Sequence, residues 1–208
     1  MNTTPSRAQA KPFAARQRDP WLDRWLPLLQ ERCPGAPVLE IGCGNGEDSV
    51  TLCQAGFELT AFDLDATAVA AAQARVPQAT FLCHDTRAPL PDTSGKLGAV
   101  IASLGLHYFD WATTEEIVGR IHAALRPGGV LLCRVNSTED HHYGASGHPQ
   151  IEAHYYRVDG EAKRFFDRAD LERLFARGWR TLACAHYLTQ KYAQPKAVWE
   201  IVLEKTDA

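Results

Sequence analysis

The sequence predicts an α/β fold in three layers, with helices on both faces of a seven-stranded, mostly parallel sheet that closes with an antiparallel hairpin. Three observations predict it. Short apolar runs alternate with helical periodicities along most of the chain, a pattern that a parallel sheet covered on both faces satisfies. A glycine-rich turn, Gly42-Cys-Gly44-Asn-Gly46, separates the first run from a helix. The last two runs, 181–188 and 198–203, leave no room for a helix between them and should pair antiparallel around Pro195.

The elements follow in order. Residues 19–31 place Trp21, Leu22, Trp25, Leu26 and Leu29 at helical spacing. A strand at 38–41 leads through the glycine turn to a helix at 48–55, which Gly56 stops. A second strand at 59–63 precedes an alanine-rich helix at 66–75 capped by Asp65. Strands follow at 80–83 and 99–103, the latter apolar on both faces and therefore central. Thr113-Thr-Glu-Glu116 reads as a capping box for a helix through Ile117, Ile121 and Leu125, ended by Arg126-Pro-Gly-Gly129. The fifth strand is 130–135, and Asp167 caps a helix that Gly178 ends. Residues 1–18 carry basic residues without acids and are expected to be a flexible leader. Residues 19–208 form one domain.

Composition narrows the function. A net charge of −3 over 208 residues lacks the cationic surplus that nucleic acid demands. There is no run of 18 apolar residues to span a membrane. The six cysteines are scattered without tight pairs, as in a reducing cytoplasm, and suggest neither a disulfide framework nor a metal site.

A dinucleotide fingerprint would place a third glycine at position 47 and lay pyrophosphate over the helix start. This chain has Glu47 and then Asp48 there. Their carboxylates suit the helix dipole but repel phosphate. The turn therefore suits a ligand that needs close backbone approach and carries little negative charge.

From about Pro20 to Lys205 the chain resembles class I S-adenosylmethionine-dependent methyltransferases, which have a Rossmann-like fold. The resemblance rests on motifs in order: Glu40–Gly46 as E/D-x-G-x-G-x-G, Asp63 ending the second strand, and Asp85 after the third. Leu106-His-Tyr-Phe109 follows the fourth strand and Leu125-Arg-Pro-Gly-Gly129 precedes the fifth. It implies S-adenosylmethionine as methyl donor and S-adenosylhomocysteine as product. Gly42 and Gly44 would admit the methionine part, within a turn completed by Cys43 and Gly46, with Glu40 near the ammonium or organising the loop. Asp63 would accept from both ribose hydroxyls, Leu64 would pack on adenine, and Asp85 would accept from the adenine amino group beside the Thr86 amide. Ser103 and Leu104 would complete the cofactor site.

On the acceptor side the resemblance leaves more open. His107 is a candidate base or substrate ligand, and equally a structural residue bonded to backbone. Arg134 and Asn136 end the fifth strand beside the pocket, and Arg134 either binds an anionic acceptor or pairs with a loop acid. The segment 137–166 exceeds the roughly 12–15 residues beyond which loops are uncommon unless functional. Asp159-Gly160 signals a hairpin turn in it, and Tyr155, Tyr156 and Arg164 are its candidate substrate residues in an aromatic lid. Arg134-Val-Asn-Ser137 and Arg164-Phe-Phe-Asp167 are loosely similar to tellurite-resistance-like small-molecule methyltransferases. That similarity implies a small acceptor reacting at S, Se, Te, N or O in a monomer or homodimer. A protein or RNA methyltransferase and a non-catalytic S-adenosylmethionine-binding module are the alternatives.

Overall fold

The computed structural model describes residues 19–91 and 96–206, so the leader expected at 1–18 lies outside the described residues. The main sheet comprises β1 (Val38–Ile41), β2 (Leu59–Asp63), β3 (Thr80–Cys83), β4 (Leu97–Ser103), β5 (Leu125–Asn136), β9 (Trp179–Thr189) and β10 (Lys196–Lys205). Its order is β3-β2-β1-β4-β5-β10-β9. The first five strands are parallel, and β10 pairs antiparallel with both β5 and β9. The mostly parallel sheet and its antiparallel close are those the sequence predicts.

Each face of the sheet buries its own core. On one face, Leu39, Val100 and Leu131 pack with Ile117 and Ile121 of α4 (Trp111–Ala124) and Leu171 of α5 (Arg168–Leu174). On the other, Val38, Ala99 and Leu132 meet Leu29 of α1 (Leu26–Arg32), Leu52 of α2 (Glu47–Gln54) and Ala72 of α3 (Ala66–Arg75). Adjacent strand residues alternate between the cores because strand side chains have a period of two. Among the described residues, no helix is long and apolar enough to cross a membrane. All six cysteines are free.

Among the element starts that differ from the sequence reading, three have a clear local cause. The helix expected over 19–31 is a 3-10 turn at Asp23–Trp25 followed by α1. Pro27 lacks an N–H and its ring crowds the preceding turn, so an α-helix opens around it but cannot run through it. α4 starts before the expected capping box, because the Asp110 side chain accepts from the Thr113 amide and is the true N-cap. The helix ends at Ala124, so Leu125 and the Arg126-Pro-Gly-Gly129 expected to end it are already in extended chain. β5 begins at Leu125 and loops outward, so Leu97 pairs with Leu125 while Ala99 pairs with Val130.

The long segment after β5 folds into a second sheet of β6 (Gln150–Glu152), β7 (Tyr155–Val158) and β8 (Glu161–Arg164). Asp159 (φ 52°) and Gly160 (φ 88°) turn β7 into β8, the left-handed pair that a two-residue hairpin requires. The segment leaves and re-enters the core at one point. Ser137 bridges Phe166, and the Phe166 amide donates to the Asn136 carbonyl at 2.8 Å. Phe165 and Phe166 are fully buried, and the Trp199 indole donates to the Phe166 carbonyl. We expect Phe166→Ala to lose about 3–5 kcal/mol, read as a lower urea midpoint with an unchanged slope.

Candidate active site

In a sheet of this order, β1 and β4 run side by side while their following connections diverge, which opens a crevice at their carboxyl ends. The two backbones pass close to each other there. A Cβ on Gly42 would sit 3.4 Å from the Gly105 Cα, and a Cβ on Gly105 would sit 3.1 Å from the Ile41 carbonyl oxygen. Gly42, Gly44 and Gly46 all have positive φ, as does Leu104 at 58°. A left-handed leucine is strained, and such strain concentrates at functional sites. Gly46 also lets α2 begin against α3, since a Cβ there would come within 3.0 Å of the Ala72 Cβ.

Two cavities flank this crossing. The larger, about 640 Å³, is lined by Asp63, Leu64, Asp85, Thr86, Leu104 and Tyr108, among others. Asp63 receives the Gly44 amide at 2.9 Å and the Asp65 amide at 3.0 Å, which ties the glycine turn to the end of β2. Leu64 is 66% exposed and Tyr108 48% exposed, two large apolar surfaces left open in one cleft. Asp85 is gripped by Arg87, whose Nε lies 3.0 Å from each carboxylate oxygen and whose Nη2 lies at 2.6 Å. Hydrogen bonds from Arg87 hold the Asp85 carboxyl below the usual carboxylate range.

The smaller cavity, about 280 Å³, is lined by Glu40, Cys43, Gly44, Asp48, Ser103 and Arg134, with Lys191 and Tyr192 on its far wall. Acids crowd it, and cations face them. Glu40 is buried and accepts from the Ser49 hydroxyl. Burial chiefly, then the Asp48 charge, push the Glu40 carboxyl well above its ordinary range. Asp48 is raised as well, again chiefly by burial, although the Trp21 indole donates to it at 2.9 and 3.0 Å. Lys191 pairs with Glu47, and Arg134 pairs with Asp19 while its guanidinium stacks 4.3 Å from the Trp21 ring centroid. Arg134 also donates to the Ser103 hydroxyl. Burial pushes the Cys43 thiol up to about 12, the state of a packing residue.

The acceptor candidates divide. Arg134 faces the small cavity. Arg164 is buried beneath the second sheet, where it donates to the Phe109 and Ala153 carbonyls, pairs with Glu152 and stacks on Tyr155. Tyr155 donates to the Tyr108 carbonyl, and Tyr156 packs on Phe165. These three hold the 137–166 segment in place and line neither cavity. The Asn136 amide reaches the Arg164 carbonyl at 3.4 Å. His107 is buried against the Tyr108 ring, with a ring-centroid separation of 4.1 Å. Its Nδ1 has no partner, and burial first, then Lys196 and Lys163, lower its pKa to about 3.

His154, Asp167 and Asp170 come close enough to hold a metal. Their contacts are those of a helix start: Asp167 and Asp170 form a capping box, and His154 bonds to Asp170 at 2.7 Å. Sequence reasoning missed Gly105, Tyr108, Arg87, Lys191 and Tyr192 as cavity walls. A signal for the last two existed, because an antiparallel β9–β10 hairpin must turn at the same sheet edge as the glycine loop.

Residues 38–129 match a methyltransferase-domain family. The chain is 34% identical over 98 residues to an uncharacterized methyltransferase of Synechocystis sp., covering 47% of this chain and 46% of that protein. It is 31% identical over 114 residues to the trans-aconitate 2-methyltransferase of Deinococcus radiodurans, covering 55% of this chain and 43% of that one. It thus spans less than half the length of these two relatives. Among solved structures, the 1,6-didemethyltoxoflavin N1-methyltransferase of Burkholderia thailandensis superposes with a TM-score of 0.68. That match covers 91% of this chain and 82% of that one at 21% identity, a likeness of fold. Over residues 38–129 the chain is thus similar to a methyltransferase domain, and its strand order is that of solved methyltransferase structures.

Proposed function

We propose that this chain transfers the methyl group of S-adenosylmethionine to a small-molecule acceptor. The observation that carries the reading is the pair of cavities meeting at Gly42. One offers open apolar surface and an acid at the end of β2, fit for a nucleoside. The other offers buried acids opposite cations, fit for a zwitterion attached to a positive sulfur. Asp63 keeps lone pairs for ribose hydroxyls beyond the two amides it holds. Leu64 and Tyr108 supply the apolar faces for adenine. Glu40 and Asp48 suit an ammonium, and Arg134 and Lys191 suit a carboxylate. The donor, when bound, supplies a carbon already activated for displacement, and the protein's task is alignment in a site that excludes water. The trans-aconitate relative and the toxoflavin neighbour act on small molecules, which favours an acceptor of that size here.

Two measurements test the reading. Asp63→Ala should weaken S-adenosylhomocysteine binding about tenfold or more in titration calorimetry, since hydrogen bonds to a charged group contribute about 1.5–3 kcal/mol. Unchanged affinity removes Asp63 from the site, and binding of NAD in place of the nucleoside sulfide removes the function.

Glu40 gives a pH test. A carboxyl whose folded pKa is raised adds stability that is full below its ordinary value of 4.5 and is lost as pH rises through the folded pKa. Glu40→Gln should therefore melt at a higher temperature than the parent at pH 8, with the gain vanishing below pH 4.5. The same variant should bind S-adenosylmethionine more weakly at pH 8. Equal melting temperatures at both pH values overturn the assignment of a strained buried charge.

A further inference from the structure

The acceptor's chemistry follows from the wall that β8 and the β9–β10 hairpin build beside the crevice. β8 runs against the loop that follows β4, with the Arg164 amide donating to the His107 carbonyl at 2.7 Å. In the β7–β8 register, Tyr156 opposes Lys163 and Val158 opposes Glu161. Glu161 and Lys163 therefore share one face of β8, and Glu161 lines the larger cavity. Lys163 sits two residues further along that face, toward His107. Tyr192 lines the smaller cavity and stacks edge-on with Tyr143, with Lys196 lying 5.7 and 4.8 Å from the two ring centroids.

The charges here are unequal. Arg134, Lys191 and Lys196 each hold an acid, namely Asp19, Glu47 and Asp140. Lys163 has no ion pair among the described residues, and it acts electrostatically on both His107 and Lys196. Glu161 stands at the turn end of the strand, on the nucleoside side. The base inventory is equally one-sided. His107, held to a pKa of about 3, is too weak a base to take a proton from an alcohol or amine near neutrality, and burial raises the Tyr108 phenol. A nucleophile that arrives already ionised needs neither.

We propose that the acceptor is a small carboxylate held by Lys163 between the Tyr108 and Tyr192 rings. The proposal rests on the methyl-transfer reading above. A carboxylate oxygen forms the new O–CH3 bond as the C–S bond breaks, the electron pair stays on sulfur, no proton moves, and a methyl ester results. The aromatic walls favour a carbon skeleton over a bare metalloid oxyanion.

The test has two arms. On protein loaded with S-adenosylhomocysteine, calorimetry with aliphatic, unsaturated and aryl carboxylates should detect binding that weakens about tenfold or more in Lys163→Met and largely returns in Lys163→Arg. The affinity for S-adenosylhomocysteine itself should not change. In turnover with S-adenosylmethionine, a carboxylate should outpace thiols, amines, phenols, selenite and tellurite, giving a product heavier by one methylene and cleaved by base. If the loaded protein binds no carboxylate, if Lys163→Met leaves binding unchanged, or if a neutral, cationic or metalloid acceptor reacts fastest, the proposal is overturned while the methyl-transfer reading stands. If S-adenosylhomocysteine does not bind at all, both fall.

Discussion

The contact on which the rest of the structure depends is the near-touch of Gly42 and Gly105. Two backbones from adjacent parallel strands approach so closely that a Cβ on Gly105 would crowd the Ile41 carbonyl, while Gly42 takes a positive φ that disfavours a side chain. The chain after β1 must then turn away through residues of positive φ, and the chain after β4 must do the same through a strained Leu104. This crossing divides one sheet edge into two chambers. Asp63 fixes the division by bonding to the Gly44 amide, so the end of β2, the glycine turn and the crevice form one rigid unit.

Charge in that unit is arranged by distance from the crossing. Buried carboxylates lie nearest the helix start, and each cation opposite them comes from an element distant in sequence. Burying charges is costly unless they are paired. Here Glu40 is raised chiefly because burial is only partly offset by the Ser49 hydroxyl, and its neighbour Asp48 adds repulsion. Such a site is poorly satisfied by itself and becomes better satisfied when a cation enters. On the proposed function, stability and binding pull in opposite directions at Glu40, as is common where a fold keeps a charged group for use.

Much of this was legible in the sequence. The mostly parallel sheet and its antiparallel close followed from alternation, and the glycine turn and Asp63 stand at the ends of β1 and β2 as read, because local spacing and the chirality of βαβ units determine which loops share an edge. What escaped was set by partners distant in sequence. Arg164 reads as an anion ligand until Phe109, Ala153 and Glu152 are seen around its guanidinium. Lys163, its neighbour, carries no distinguishing local signal. Only the hairpin register shows that these two cations lie on opposite faces of β8, Arg164 beside Tyr155 and Lys163 beside Tyr156. Asp110 displaced the predicted capping box for a similar reason. Both candidates were chemically sound caps, and the packing of Trp111 and Thr114 decided between them.

The bridge between Ser137 and Phe166 has a consequence for how such a protein changes over evolutionary time. The whole 137–166 segment departs and returns at adjacent points, carries its own small core of Ala145, Val158 and Phe165, and leaves the main sheet's pairing undisturbed. Insertions whose ends lie close together are the ones a domain tolerates. The segment is thus an exchangeable cassette. Another of similar root geometry would present different side chains beside the crevice while the glycine crossing stayed intact.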